Sequence, residues 1–190
     1  TGVQTCALPI WRLGQLGAMA VLACSMAKSI IHIQVHTSCW KTALKPYTKT
    51  VRGACEAALQ AASGGRGSKV RKKKEGEITV VLADDAFVQS LNKSFRGKDK
   101  PTNVLSFPAC ADPHSPIPDP SLGDIILAFE TIAREAQDQA KSFKDHAVHL
   151  LVHGTLHLLG HDHKKDAQAR DMEKLEINIL KKLNISNPYL

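Results

Sequence analysis

Paired cysteine motifs and long apolar segments are both absent from this sequence of 190 residues. Its five cysteines are odd in number and widely spaced, and none forms a C-x-x-C pair: Cys6, Cys24, Cys39, Cys55 and Cys110. This pattern argues against a disulfide framework and against a zinc site built from cysteines. It is typical of a protein of the reducing cytoplasm, where we expect this chain to act.

The N-terminal segment does not begin with methionine, and Arg12 is the only charged residue among residues 1–25. Residues 13–24 are apolar, but the run is too short to span a membrane and only Arg12 precedes it, so we expect neither export nor a membrane partner. Residues 1–10 resemble translated sequencing-adapter read-through. We expect residues 1–25 to be a non-native or disordered extension and Met26, with Met19 as the alternative, to be the true start. Residues 26–190 would then form the domain.

The remaining composition suits one basic globular domain. An apolar content of 43% can supply an ordinary core at this length, and the net charge of +7 is consistent with a polyanionic partner. The basic run Lys69–Lys74 has two interpretations, a solvated connector or a contact to RNA phosphates. No aromatic residue interrupts it, so base stacking there is not supported.

Hydrophobic periodicity predicts a mixed α/β domain with about four strands in one sheet packed against helices. The predicted strands cover 29–36, 77–82, 102–107 and 123–129, and the predicted helices cover 42–62, 85–95, 131–140, a stretch from about 143, and 165–183. Five prolines between 108 and 120 predict a rigid surface loop near the functional site. The last helix has an apolar stripe that we expect to be buried: Met172, Leu175, Ile179 and Leu183.

The segment His153–His163, HGTLHLLGHDH, carries the strongest chemical signal. Residues at i and i+4 share a helix face, so His153 and His157 can direct their rings at one atom. Gly160 can adopt a positive φ and turn the chain after the helix, which brings His163 back over that face. Three neutral imidazoles leave the fourth position of a tetrahedral zinc open to water. The spacing therefore predicts one catalytic zinc ion per chain.

Other histidines of this helix are alternatives. We expect the histidines of this helix to lie on the side away from the core, opposite its apolar stripe. The stripe consists of Val148, Leu151, Val152 and Leu159. His149 and His153 have the same spacing as the chosen pair, but no turn follows to deliver a third ligand, and His146 is excluded with them. The pattern is similar to the H-E-x-x-H zincins, except that Gly154 stands where their glutamate base would be.

Three long motifs together resemble the bacterial YbeY endoribonuclease family, also called rRNA maturation factors. They are FRGKDKPTNVLSFP (Phe95–Pro108), LGDIILAFETIAREA (Leu122–Ala136) and the histidine segment, and the resemblance covers about residues 31–190. It implies a zinc-dependent, single-strand-specific endoribonuclease in 16S rRNA maturation and ribosome quality control. The implied partners are single-stranded RNA and the ribosome or its small-subunit proteins. It also implies that the three histidines are metal ligands and that an arginine matching Arg96 is required.

Cations beside the predicted metal site suit a phosphodiester substrate. A phosphodiester under attack gains charge on its equatorial oxygens, and the guanidinium of Arg96 can hold two of them at once. Lys98 and Lys100 are weaker candidates that would follow the RNA backbone. Asp162 could orient a ligand imidazole or cap the next helix, and His161 could approach the substrate. Asp124 could line the cleft, although no spacing argument assigns it a role.

Two other functions remain open from the residues alone. A metallopeptidase fits the zincin-like helix, but Gly154 leaves it without an evident base. A ribosome assembly factor with a mainly structural metal would need the histidines but not Arg96. The metal itself is also open, because three imidazoles that suit zinc also accept nickel, cobalt or copper.

Overall fold

A four-stranded sheet forms the centre of the molecule. The computed structural model describes residues 29–62, 76–109 and 120–190. The strands are β1 (Ile30–Val35), β2 (Glu77–Ala83), β3 (Val104–Pro108) and β4 (Ser121–Ala128), in the spatial order β1-β2-β4-β3. β1, β2 and β4 are parallel, whereas β3 pairs antiparallel with β4 and forms one edge. The four predicted strands are confirmed, with ends that shift by one or two residues.

Helices cover both faces of this sheet. Six occur in the described ranges: α1 (Cys39–Ala43), α2 (Tyr47–Ala62), α3 (Asp85–Arg96), α4 (Phe129–Asp138), α5 (Phe143–Leu158) and α6 (Asp166–Lys182). Successive side chains of a strand point to opposite faces, so Val80 joins the core beneath α2 and α5 while Val81 joins a smaller core beneath α3. The mixed α/β domain is confirmed. Among the described residues, no helix combines the length and apolar character needed to cross a bilayer.

Three sequence expectations fall wholly or mainly outside the described residues. They concern the extension 1–25, the basic run Lys69–Lys74 and most of the proline-rich loop. These expectations remain predictions.

The predicted single helix over 42–62 is wrong at its start. Two helices occur there, α1 and α2, and Pro46 precedes α2 because its missing amide hydrogen suits a helix start better than a helix interior. Trp40 of α1 is fully buried, and its indole Nε1 donates to the carbonyl of Ala83 at 2.9 Å. Local periodicity did not predict α1, because this short helix depends on a contact with a residue 43 positions away.

Helix α5 lies between the sheet and three other helices, α2, α4 and α6. Its predicted apolar stripe is buried as expected: Val148, Leu151, Val152 and Leu159. The expectation that the histidines avoid the core is wrong for His146, which is only 4% exposed. Its Nε2 lies 2.8 Å from Oε2 of Glu135 on α4. The periodicity of one helix does not reveal that a second helix covers its polar side.

Candidate metal centre

Three histidines converge where α5 ends. His153 and His157 lie one turn apart on α5, and their Nε2 atoms are 3.0 Å apart. Gly160 has a φ of +93°, which turns the chain sharply and returns His163 to this pair. One ring nitrogen from each histidine lies within 4.8 Å of the others, a grouping that could hold a metal ion. The structure thus brings together the three predicted ligands.

The hydrogen bonds of the two helical histidines direct their lone pairs inward. The Nδ1 of His157 lies 3.0 Å from the carbonyl oxygen of His161, and the Nδ1 of His153 lies 2.8 Å from Oε1 of Glu176. Both partners can only accept, so each Nδ1 carries a hydrogen, and in the neutral ring the lone pair is left on Nε2. Burial, followed by the proximity of His153, lowers the pKa of His157 to about 4, so this imidazole is neutral at pH 7.

This donor set fits a zinc ion. Neutral imidazoles with free lone pairs are the form that binds metals. A tetrahedral zinc with Zn–N bonds of 2.0–2.1 Å separates neighbouring ligand nitrogens by about 3.3 Å, close to the 3.0 Å between the Nε2 atoms of His153 and His157. Two lone pairs at this separation repel each other unless a cation lies between them.

Glu176 of α6 is a buried carboxylate that the sequence analysis missed. It is 1% exposed, and it accepts hydrogen bonds from His153, from His149 at 3.1 Å and from the hydroxyl of Tyr189. Burial by itself raises the pKa of Glu176, but these three hydrogen bonds outweigh it and lower the pKa to about 2. The carboxylate is therefore ionised, and it orients a predicted ligand in the manner common at metal sites.

The buried stripe of α6 differs from the predicted one in a way that reveals Glu176. Met172 and Ile179 are buried as expected, but Leu175 and Leu183 are only partly buried. Glu176 and Leu180 are buried in their place. Glu176 follows Met172 by four residues, so an acidic residue within an apolar stripe was the available sequence signal.

The structure supports neither predicted role of Asp162. Its Oδ1 accepts from the backbone amide of His163 at 2.8 Å, and its Oδ2 pairs with Lys164 at 3.0 Å. Asp162 therefore holds the backbone of the third histidine rather than an imidazole ring. The N-cap of α6 is Lys165, so Asp162 does not cap that helix.

A cleft of about 620 Å³ opens beside the three histidines. One wall comes from the edge strand β3 and the residue before it: Asn103, Val104, Ser106 and Pro108. Another comes from Arg96 at the end of α3, and the last comes from the turn after α5: Gly160, His161, Asp162 and Lys164. Arg96 is the last residue of α3 and is exposed. The structure therefore places the predicted arginine and the predicted ligands around one cleft, and His161 also lines it.

Three other candidates lie away from this cleft. Lys98 and Lys100 are described and exposed, but neither is among the lining residues. Asp124 does not line it either, because it is held within the sheet opposite Thr79 and Phe107. Burial raises the pKa of Asp124, and a hydrogen bond from Thr79 opposes that rise.

Gly154 lies against the sheet rather than in the cleft. A Cβ at this position would lie 3.0 Å from both Cγ2 of Ile125 and Oγ of Ser106. A glutamate at this position would require the side chains of Ile125 and Ser106 to move, and its Cβ would point at the sheet. The position that holds the general base in zincins therefore faces the packed sheet here.

Comparison with known proteins agrees with the motifs at this cleft. Residues 34–184 match the family described as Endoribonuclease YbeY. The chain belongs to the YbeY endoribonuclease family. An Endoribonuclease YbeY of Rhizobium etli is 47% identical over 86% of this chain and 95% of its own length. The Endoribonuclease YbeY of Parvibaculum lavamentivorans is 51% identical over 74% of this chain and 76% of its own length.

A solved structure is similar at a lower level. The solution structure of TM1509 from Thermotoga maritima has a TM-score of 0.48 and 19% identity, and the match covers 82% of this chain and 92% of that one.

Two of the three motifs of this YbeY-family chain line the cleft, and the third lies behind them. Phe95–Pro108 supplies Arg96 and the edge strand β3. Leu122–Ala136 forms most of β4 and α4, which lie behind β3 and α5. The histidine segment supplies the end of α5 and the turn to His163. Residues far apart in sequence therefore form a single site.

Proposed function

We propose that this chain is a zinc-dependent, single-strand-specific endoribonuclease that acts in 16S rRNA 3′-end maturation and in ribosome quality control. The observation that carries the proposal is the cleft shared by three convergent histidines and Arg96. Membership of an endoribonuclease family supplies the substrate class. The proposal includes His153, His157 and His163 as ligands of one zinc ion, a cytoplasmic location, and ribosomal or small-subunit protein partners.

The cleft residues divide the chemistry between them. A zinc ion on the three imidazoles would supply Lewis acidity, which makes water nucleophilic near neutral pH. Glu176 and the carbonyl of His161 hold two of the ligand rings in their metal-binding tautomer. Arg96 lies in the cleft wall, where its fixed charge stabilises the negative charge that develops on phosphate oxygens. Lys98 and Lys100, outside the cleft, would contact phosphates farther along the strand.

The two alternative functions have less support. A metallopeptidase needs a general base, and Gly154 is packed against Ile125 and Ser106. A purely structural metal needs no cleft and no neighbouring guanidinium, yet both are present. The endoribonuclease accounts for all of these features.

Cleavage assays test the proposed activity directly. We would incubate the purified chain with single-stranded RNA of the 16S 3′-end sequence, with a duplex of the same sequence, and with an unstructured polypeptide. We expect cleavage of the single strand alone and loss of cleavage with a chelator. Cleavage that survives the chelator, or that is restricted to the polypeptide, would refute the proposal.

Replacement of Arg96 tests whether the arginine serves the chemistry. Arg96 is exposed, so Arg96→Glu should keep its zinc and a normal melting curve while losing most RNA cleavage, by roughly 100-fold. Arg96→Lys should recover only part of the rate, because a point charge does not replace a bidentate fork.

Arg52→Glu is the matched control, because Arg52 is an exposed arginine on α2 that does not line the cleft. It should cleave at the wild-type rate. Wild-type cleavage by Arg96→Glu would instead assign the arginine to the structure or to a partner surface.

A further inference from the structure

The two oxygens of the Glu176 carboxylate have different partners. Oε1 accepts from Nδ1 of His153 at 2.8 Å. Oε2 accepts from Nε2 of His149 at 3.1 Å and from the hydroxyl of Tyr189. The two oxygens belong to one rigid planar group, so the contacts of Oε2 determine where Oε1 lies. Any residue that holds Oε2 therefore also positions the imidazole of His153.

Tyr189 reaches this buried carboxylate from a segment that follows α6. The amide of Ile185 donates to the carbonyl of Leu180 at 2.9 Å, and the Nζ of Lys141 donates to the carbonyl of Pro188 at 2.5 Å. The amide of Tyr189 itself donates to Oδ1 of Asn187 at 3.0 Å. These contacts fix the path of segment 185–189, so it delivers its tyrosine to a defined place.

The ring of Tyr189 also packs where it can restrain the histidine row. It meets the ring of His149 edge-on with centroids 5.7 Å apart, and His149 in turn meets His153 edge-on at 6.4 Å. Tyr189 thus touches both groups that flank the proposed ligand on this side. The contributions of the hydroxyl and of the ring can be tested separately, because phenylalanine keeps the ring and lacks the hydroxyl.

We propose that Tyr189 is a positioning residue of the metal centre, which holds Glu176 so that Glu176 orients the ligand His153. The inference rests on the proposed zinc site and extends it to a segment that the histidine spacing does not indicate. Without the tyrosine hydroxyl, Oε2 loses a donor in a place that is 1% exposed to solvent. The carboxylate can then rotate, and His153 spends less time in the geometry that binds zinc.

The expected loss of affinity follows from the distance to the metal. Replacing a group that contacts a ligand directly lowers metal affinity by roughly 10- to 100-fold. Glu176→Gln should fall in that range. Tyr189 acts through Glu176, so Tyr189→Phe should weaken zinc binding by roughly three- to tenfold on the same scale.

Chelator competition on the full chain measures this effect. The zinc dissociation constant would be determined for wild type, Glu176→Gln, Tyr189→Phe and Tyr47→Phe. Tyr47 is the other tyrosine of the sequence, and it lies at the start of α2, so its variant loses the same single oxygen elsewhere. We expect Tyr47→Phe to bind zinc as wild type does. We also expect the visible spectrum of bound Co²⁺ to change in Tyr189→Phe and not in Tyr47→Phe.

The outcomes separate the inference from the proposed function. Wild-type chain that binds no zinc would overturn both. Zinc bound by wild type and by Tyr189→Phe with equal affinity would overturn the inference alone, even if the melting temperature of Tyr189→Phe fell. If Glu176→Gln does not fold, Tyr189→Phe decides the question, because it removes only the hydroxyl that donates to Glu176 and keeps the aromatic ring.

Discussion

At the residue scale, the four histidines of α5 have different partners. His146 is buried beside Glu135, His149 bonds to Glu176, and His153 and His157 direct lone pairs to a common point. Spacing and the turn at Gly160 were enough to identify the convergent set. The carboxylates that contact His146, His149 and His153 lie on α4 and α6, and no helical period relates them to α5.

Alanine replacement of each histidine should separate these roles. Alanine at His153, His157 or His163 removes one of only three proposed ligands, so stoichiometric zinc should be lost after dialysis. His149→Ala should retain stoichiometric zinc with a weakened affinity, because its ring acts on His153 only through Glu176 and is not itself a proposed ligand. Elemental analysis of each purified variant measures this. Full zinc in His163→Ala together with loss in His149→Ala would move the site one turn along α5.

His146→Ala supplies a structural contrast in the same series. Its removal leaves the partly buried Glu135 without this partner, so the free energy of unfolding should fall by about 1–3 kcal/mol while zinc is retained.

At the element scale, the pairing of β3 with β4 builds the cleft wall. Gly123 of β4 has a φ of +132°, and a Cβ there would lie 2.1 Å from the carbonyl oxygen of Phe107 and 2.9 Å from the amide of Ala109. The register of β4 against β2 shifts at this point, where Ile78 faces Gly123. The close approach lets β3 lie against β4 beside the histidines. The sequence predicted both strands, but it contains no information about this contact.

Gly123→Ala should therefore be severely destabilising. Backbone strain of about 1–3 kcal/mol adds to overpacking of about 1–3 kcal/mol, so we expect a loss of about 3 kcal/mol or more. Chemical denaturation followed by circular dichroism measures the change.

Gly53→Ala is the control, because Gly53 lies within α2 and a Cβ there meets nothing within 4 Å. Alanine should stabilise that helix by up to about 1 kcal/mol. Equal stability of Gly123→Ala and wild type would show that the β3–β4 contact is looser than described.

At the scale of the whole molecule, the proposed metal site links separate parts of the fold. Its ligands come from α5 and the turn after it, and their orientation depends on α6 and on segment 185–189. The unfolded chain cannot hold these groups together. A ligand that binds only the folded state stabilises that state, so zinc and folding should be coupled.

Zinc should therefore raise the melting temperature. At a free concentration 100 times the dissociation constant, the stabilisation is about 2.7 kcal/mol, which corresponds to roughly 5–10 °C for a chain of this size. Calorimetry with and without zinc measures the shift, and a chelator should reverse it. His157→Ala should show no shift. A wild-type melting temperature that does not respond to zinc would contradict the proposed site.

The sequence by itself predicted those features of this protein that depend on local interactions. Helical period places His153 and His157 on one face, and a glycine after the helix permits the turn to His163. Alternation of apolar and polar residues predicted the first strand, and an apolar β-branched run predicted the second. These features depend on residues within a few positions of one another, so they can be predicted from a single sequence.

Only the tertiary structure decided which distant groups meet. The indole of Trp40 in α1 donates to the carbonyl of Ala83, and the carboxylate of Glu135 contacts the buried His146. The carboxylate of Glu176 accepts hydrogen bonds from both His153 and Tyr189. The resemblance of its motif implied a role for Arg96, but the folded chain is what brings it to the cleft of His153. Such contacts depend on how whole elements pack, and packing is set by the burial of all their apolar faces together, which no local pattern specifies.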